Sequence, residues 1–287
     1  MSLAPSSGKA VARSLLFVPG HQAARFDKAC QSGADAVVLD LEDAVPPDRK
    51  EDARAQVGQW LAARRVGTEP HALVAVRINA ADTPWHAADR SLCAGAGVEA
   101  LMLPKAEDAA VLRAIATVLP AVALWPLVET ARGIARLDEI ASAPGVQRLV
   151  FGTIDFQADL DIEGDGQELL FFRSRIVLAS RLAGLQSPVD GVSTAIDDPA
   201  RIEADALHAR RMGFGGKLCI HPKQVAVVNR GFSPTLAQVD WARRVIDADA
   251  ASGGAPVTVD GKMVDRPVVL KAQAVLRAAM TGRPQTP

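Results

Sequence analysis

Short apolar runs alternate with longer amphipathic stretches through the first 220 residues of this chain, and that alternation constrains the fold more than any other feature. A strand buried on both faces reads as a continuous apolar run, and a strand followed by a crossover helix pairs in parallel with a neighbour. The spacing predicts strands over Leu15 to Val18, Ala36 to Leu41, Leu73 to Ile78, Ala100 to Leu103, Val122 to Val128, Arg148 to Gly152, Val189 to Val192 and Lys217 to Ile220. Helices fit the intervals: Gln22 to Ser32, Arg49 to Ala63, Ala87 to Ala94, Glu107 to Val118, Ala131 to Ser142, Glu168 to Ala183, Pro199 to Met212 and Pro222 to Asn229. Eight strands, each followed by a helix, favour an α/β fold of the closed (β/α)8 TIM-barrel type, with an open doubly wound sheet as the alternative.

Beyond Gly231 the pattern changes. Thr235 to Ala251 reads as a helix, Asp260-Gly261 between β-formers as a tight hairpin turn, and Val268 to Met280 as a last helix. The expected organisation is a barrel over residues 1–230 and a C-terminal helix–hairpin–helix extension over residues 231–287. Pattern alone makes that extension a packing cover or an oligomer interface.

Lysine plus arginine (32) nearly balance aspartate plus glutamate (33), so no global field recruits nucleic acid or an acidic membrane. Cys30, Cys93 and Cys219 lack paired-ligand spacing, which argues against a zinc site or a disulfide framework and for buried thiols in a reducing compartment. No run reaches the length of a membrane span and no secretory signal opens the chain, so a soluble cytoplasmic protein is expected. Three motif fragments fail on context. Gly95-Ala-Gly-Val-Glu-Ala100 precedes a strand where a dinucleotide fingerprint must follow one, Gly216-Lys217 lacks the rest of a phosphate loop, and Asp159-Leu-Asp-Ile-Glu-Gly164 lacks the closing glutamate of a calcium loop. The last reads as a solvated acidic loop.

What survives is a set of charges at strand ends. Glu129 closes one apolar run, Asp155 follows another, Arg77 ends a third, and Asp40, Glu42 and Asp43 end a fourth. In a parallel barrel these ends share the rim where chemistry takes place. Two carboxylates, Glu129 and Asp155, match the sparse demand of Mg2+, which keeps waters and takes only one or two protein carboxylates. Mn2+ is the alternative ion. Each charge alone has an ordinary explanation as a helix cap or ion pair.

Arg13-Ser-Leu-Leu-Phe-Val-Pro-Gly20, Asp35-Ala-Val-Val-Leu-Asp-Leu-Glu-Asp-Ala-Val45 with Lys50 and Ala53-Arg54, Val76-Arg-Ile-Asn79, Met102-Leu-Pro-Lys105, Leu127-Val-Glu-Thr130, Phe151-Gly-Thr-Ile-Asp-Phe156 and Ile220-His-Pro222 occur in one order. Together they resemble the citrate lyase β-subunit-like proteins of the citrate lyase, malyl-CoA lyase and 2-oxo-acid aldolase group. The resemblance implies Mg2+ on Glu129 and Asp155, Arg77 against substrate oxygens, and CoA thioesters as substrates. It also implies a segment reaching a neighbouring subunit of a homotrimer or hexamer. Gly261-Lys-Met-Val-Asp265 matches the pattern that supplies an acid there, which makes Asp265 the expected catalytic group. Glu42 and Asp43 are expected to orient Arg77 or bind metal waters. Backbone N–H groups of Gly152, Thr153, Ile154 and Asp155 suit a substrate carboxylate, and Arg13, Arg25, Lys28, His221 and Pro222 are the candidates for the nucleotide end of CoA. Two positions depart from the family pattern: His21 stands for a small polar residue and Val268 for a histidine.

The expected reaction is cleavage of a 3-hydroxyacyl-CoA of the malyl, citramalyl or citryl type to acetyl-CoA and a 2-oxo acid, or the reverse condensation. The alternatives are an aldolase of free 2-oxo acids without CoA and a citrate lyase subunit active only with acyl-carrier partners.

Overall fold

A computed structural model of the chain describes residues 11–64, 71–95 and 97–281. Eight parallel strands close into a barrel in chain order. They are β1 (Ser14–Pro19), β2 (Ala36–Asp40), β3 (Leu73–Arg77), β4 (Ala100–Leu103), β5 (Ala123–Val128), β6 (Val150–Phe151), β7 (Val189–Asp190) and β8 (Gly216–Cys219). The barrel shuts where Leu15 of β1 pairs with Ala36 on one side and Leu218 of β8 on the other. Alternate residues point inward, and Leu15, Val38, Ala75, Met102, Trp125, Val150 and Leu218 fill the interior. Trp125 keeps its one donor satisfied there, Nε1 to Gln147 Oε1 at 2.9 Å.

The helices of the barrel are α1 (Phe26–Cys30), α2 (Lys50–Ala63), α3 (His86–Leu92), α4 (Ala109–Val118), α5 (Ala131–Ala135), α6 (Leu137–Ala141), α7 (Thr153–Leu160), α8 (Leu170–Leu182), α9 (Pro199–Met212) and α10 (Pro222–Phe232). Two expected helices are broken. A 3-10 turn, Ala23–Arg25, precedes α1, and the stretch from Ala131 divides at Arg136, whose backbone (φ −106°, ψ 18°) leaves the helical region. β6 and β7 are shorter than expected. Gly152 ends the first by turning straight into α7, a helix that the sequence pattern did not predict.

Arg148 precedes β6 at the N-terminal face of the barrel. It is fully buried and donates to the carbonyls of Ala12 (2.8 Å) and Ser187 (2.8 and 3.1 Å), tying the start of β1 to the approach of β7.

Residues 12–231 form one compact unit, and Phe232 onward belongs to a second. The second contains α11 (Leu236–Ala251), β9 (Val257–Val259), β10 (Lys262–Val264) and α12 (Arg266–Thr281). Thr235 and Gln238 form a reciprocal capping box at the start of α11. β9 and β10 pair antiparallel with Val259 opposite Lys262, and positive φ at Asp260 (51°) and Gly261 (72°) makes the two-residue turn. Ala242, Val245, Val264, Val269 and Ala272 form its core. No helix among the described residues is long and apolar enough to cross a membrane.

Candidate active site

The site is organised by Asp40, the last residue of β2. Its carboxylate accepts Nε and Nη2 of Arg77 at 2.7 and 2.6 Å, from the residue it pairs with across the β2–β3 ladder. It also accepts the N–H groups of Glu42 (2.9 Å) and Ala44 (3.1 Å), so one buried side chain folds the loop after β2 and fixes the guanidinium plane. Phe17 lies under that plane, 4.7 Å from Arg77 Cζ. Nη1 is left facing Glu42 Oε2 at 2.9 Å and Asp43 Oδ2 at 3.3 Å. The Glu42 contact is ionic; its Oε2 accepts no directed hydrogen bond.

A second layer holds this loop from behind. Lys50 Nζ donates to the carbonyls of Leu41 (2.9 Å) and Glu42 (2.7 Å), and Asn79 Nδ2 also reaches Leu41 O at 2.9 Å. Asp89, fully buried, accepts Asn79 Nδ2 at 2.6 Å and Arg54 Nε at 2.7 Å.

Glu129 follows β5 and is 2% exposed. Its Oε1 accepts the backbone N–H of Lys105 at 2.7 Å, while its buried Oε2 has no partner. Lys105 makes that bond from the left-handed region (φ 46°), a conformation costing about 1–2 kcal/mol for a residue with a Cβ. Gly152 is required here for a different reason: a Cβ on it would stand 2.6 Å from Glu129 Oε2.

Asp155 is not at a strand end. It lies in the first turn of α7, because Gly152 caps that helix directly after β6 and Phe156 N closes on Gly152 O at 3.0 Å. The N–H groups of Thr153 and Ile154 are therefore open donors of a helix start, whereas the Asp155 N–H bonds to its own carboxylate and Gly152 N–H goes to Val128 O at 3.0 Å, which removes Gly152 from the expected donors to a substrate carboxylate. The Thr153 side chain packs toward Gly191, where a Cβ would collide with it.

Asp40, Glu42 and Asp43 thus contact the Arg77 guanidinium, Glu129 and Asp155 lie within its electrostatic reach, and Lys50 and Lys105 are further cations near the five carboxylates. Burial pushes Glu129 up to about 8, with Glu42 and Asp155 adding repulsion and the Lys105 N–H opposing. Burial likewise lifts Glu42 to about 7 against the pull of Arg77, and raises Asp155, where Asp43 adds to the effect. Burial disfavours the charge on Arg77, but Asp40, Glu42 and Asp43 outweigh it and its pKa rises. Among the described residues no three His, Cys, Asp or Glu side chains converge as a ready metal cage. The donor set fits Mg2+ on other grounds: an orphaned buried carboxylate oxygen, a second carboxylate, and a surplus of negative charge that a hard cation would neutralise.

The remaining expected residues divide. Arg25 and Lys28 follow β1, and His221 and Pro222 follow the adjacent β8, so all four share the rim side. Arg13 does not. It precedes β1, which puts it at the opposite end of the barrel, where Asp35 takes its Nε at 2.8 Å and Nη2 at 3.0 Å; this removes it from the candidate CoA contacts. Asp265 is half-buried, and its Oδ1 accepts Val268 N–H at 3.3 Å at the start of α12. The supposed acidic loop is also different. Asp159 belongs to α7 and its Oδ2 accepts Ala131 N–H at 2.7 Å. The roles of Asp40, Lys50, Asn79, Lys105, Asp89 and Asp159 were not read from the sequence. Lys50, Asn79 and Lys105 stood in the quoted motifs, and Asp40 at a strand end, but their bonding partners could not be deduced.

The fold and site define a (β/α)8 barrel whose rim gathers carboxylates around one arginine. Residues 13–222 match the family described as HpcH/HpaI aldolase/citrate lyase, and the chain belongs to that family of lyases. It is 39% identical over 278 residues to a citrate lyase subunit beta-like protein of Deinococcus radiodurans, covering 93% of this chain and 97% of that one. It is 37% identical over 272 residues to a (3S)-malyl-CoA thioesterase of Cereibacter sphaeroides, covering 93% and 94%. Among solved structures, CitE of Mycobacterium tuberculosis in complex with magnesium, acetoacetate and coenzyme A matches with a TM-score of 0.81 at 34% identity, over 94% of this chain and 99% of that one.

Proposed function

We propose that the protein is a Mg2+-dependent lyase that cleaves a 3-hydroxyacyl-CoA to acetyl-CoA and a 2-oxo acid, or runs the reverse condensation. The observation that carries this reading is Glu129 Oε2, a buried acceptor without a partner in a cluster short of positive charge. Glu129 and Asp155 would hold the ion, which when bound supplies electrostatic stabilisation to oxygen that becomes negative. Its presence with CoA in the Mycobacterium tuberculosis CitE complex supports the same assignment here.

In cleavage the substrate hydroxyl loses its proton, the bond between the second and third carbons breaks, and the electron pair leaves as a thioester enolate. Arg77, its plane locked by Asp40, supplies its positive charge to the developing negative oxygen. Glu42, with a pKa near 7, is suited to exchange the hydroxyl proton, and Asp43 helps hold Arg77. The free N–H groups opening α7 receive the carboxylate of the 2-oxo acid. Asp265 from a neighbouring chain in a trimer or hexamer gives the enolate carbon its proton, and in reverse removes one from the acetyl-CoA methyl group. Arg25, Lys28, His221 and Pro222 are the contacts for the CoA arm.

The test is a panel of malyl-, citramalyl- and citryl-CoA with Mg2+, following acetyl-CoA and free CoA separately. Release of acetyl-CoA supports the lyase. Turnover of free hydroxy-oxo acids alone would favour the aldolase reading, and inactivity until an acyl-carrier partner is added would favour the subunit reading. Free CoA appearing after acetyl-CoA or in its place would reveal a thioesterase activity like that named for the Cereibacter relative.

A further inference from the structure

Two hydrogen bonds bracket the proposed ligand pair. The inner one runs from Gly152 N–H to Val128 O at 3.0 Å, immediately before Glu129 on one arm and a few residues before Asp155 on the other. The outer one runs from Ala131 N–H to Asp159 Oδ2 at 2.7 Å, two residues past Glu129 and one helical turn past Asp155. Glu129 and Asp155 therefore sit on two arms of a ring closed at both ends. The inner bond extends the β5–β6 pairing and is set by the barrel. The outer bond is made by a side chain alone.

Neither burial nor capping demands that outer bond. Ala131 and Asp159 are both exposed, so water could serve either group. The first turn of α5 already has a local cap, Thr130 Oγ1 accepting Gly133 N–H at 3.1 Å. What the bond does is join the arm carrying Glu129 to the helix carrying Asp155, with Asp155 and Asp159 on one face of α7 at i, i+4 spacing. The inner face of α7 is held by buried Thr153 and by Phe156 packed on Phe151 and Phe172, and the Asp159 bond ties its exposed face to the Glu129 arm.

We infer that Asp159 is a positioning residue, tying α7 to the loop after β5 and so setting the separation of Glu129 and Asp155 for the cation. The inference rests on the proposed reading of those two carboxylates as ligands. It makes Asp159 matter through the oxygen that accepts Ala131 N–H, and makes its charge secondary.

The experiment is Mg2+ titration by calorimetry, with the Mg2+ dependence of turnover, for the wild type and Asp159→Ala, Asp159→Ser, Asp159→Asn, Glu129→Gln and Asp198→Ala. Asp198 is the control: it caps α9 through Arg201 N–H at 3.0 Å and bridges nothing between the two arms. Asp159→Ala and Asp159→Ser, whose side chains are too short to reach, should weaken Mg2+ binding about tenfold, as loss of an outer support to a ligand does. The Mg2+ concentration for half-maximal turnover should rise by the same factor while kcat at saturating Mg2+ stays close to wild type. Asp159→Asn should remain within about threefold of wild type because an amide oxygen still accepts the bond, and Asp198→Ala should bind as wild type. Wild-type affinity in Asp159→Ala or Asp159→Ser overturns the tie, as does Asp159→Asn falling as far as they do, since charge and not the bond would then be responsible. Loss in Glu129→Gln with none in Asp159→Ala rejects the tie alone. Unchanged affinity in Glu129→Gln, or no Mg2+ binding by the wild type, rejects the ligand reading and the inference together.

Discussion

Two charge clusters in the same barrel have opposite balances. Between β7, β8 and α8 a single carboxylate, Asp190, lies 2.9 Å from Arg173 and 3.1 Å from Lys217, and all three side chains are almost wholly buried. At the rim five carboxylates, Asp40, Glu42, Asp43, Glu129 and Asp155, face three cations, Arg77, Lys50 and Lys105. Burial pushes upward on Asp190 in the first cluster and on Glu42, Glu129 and Asp155 in the second. At Asp190 the two cations overcome it and the pKa falls, whereas at Glu42 and Glu129 it prevails. The first cluster is complete within the chain. The second is short of positive charge, and a bound cation is what would complete it.

The largest effects should come from removing the two rim carboxylates proposed to hold the ion. Glu129→Gln and Asp155→Asn are expected to weaken Mg2+ binding and to lower turnover about 10³-fold, at the upper end of what a lost electrostatic donor costs, with the circular dichroism spectrum unchanged. Unchanged metal affinity in both variants, measured by calorimetry, would leave the charge surplus at the rim without its proposed purpose.

Asp265 belongs to the second unit, on an element built quite differently. The strand-end residues of the rim are anchored by buried strands and Asp155 by α7, while Asp265 follows a hairpin of three-residue strands and caps a helix. Asp265→Asn should keep Mg2+ and 2-oxo acid binding and lose roughly 10²-fold in proton exchange at the acetyl-CoA methyl group, within the range for a lost acid–base group. If the residue acts on a neighbouring chain, mixing Asp265→Asn with Glu129→Gln chains under subunit exchange should restore part of the activity. A monomer in solution, or no restoration despite verified exchange, rejects action in trans.

Arg77→Lys tests whether the rim needs only a positive charge or a planar one. Asp40 takes two nitrogens along one edge of the guanidinium at once, which an ammonium cannot reproduce. A loss of roughly 10- to 100-fold in kcat/KM is expected, corresponding to about 1.4–2.7 kcal/mol. Near-normal kcat/KM would make Arg77 a neutralising charge for the carboxylates and nothing more.

The sequence pattern carried the barrel well because buried strands and amphipathic helices differ in period, and that survives without coordinates. It misjudged the segment after β6. Gly152 begins α7 with no side-chain cap, so the start signal was missing, and the acidic stretch from Asp159 looked like solvated loop. Arg13 was misplaced although its position was readable: a residue before a barrel strand belongs to the N-terminal face. The hydrogen bonds of Lys105 and Asp159 were not readable at all, since each joins strand-and-helix repeats whose relative placement only the closed barrel fixes.

The smallest effect on turnover, and the most direct test of the two balances, is in stability. Asp190 has a lowered folded pKa, so its contribution is present above the unfolded value of about 4 and is lost only as pH falls through the folded value. Asp190→Asn strands Arg173 and Lys217 in the interior and should destabilise by about 3 kcal/mol at pH 7, a deficit that shrinks in acid, while kcat per folded molecule is unchanged. Glu129 has a raised folded pKa of about 8, so in the metal-free protein its favourable contribution is full below the unfolded value and is lost as pH rises through 8. Glu129→Gln, a neutral isostere, should lie within about 1 kcal/mol of metal-free wild type near pH 5 and exceed it by about 4 kcal/mol at pH 8, and excess Mg2+ should cancel that advantage by stabilising the wild type alone. Urea unfolding in EDTA and in Mg2+ across this range reads both signs. If the two substitutions shift stability in the same direction at pH 8 in EDTA, the clusters do not differ as their charges indicate.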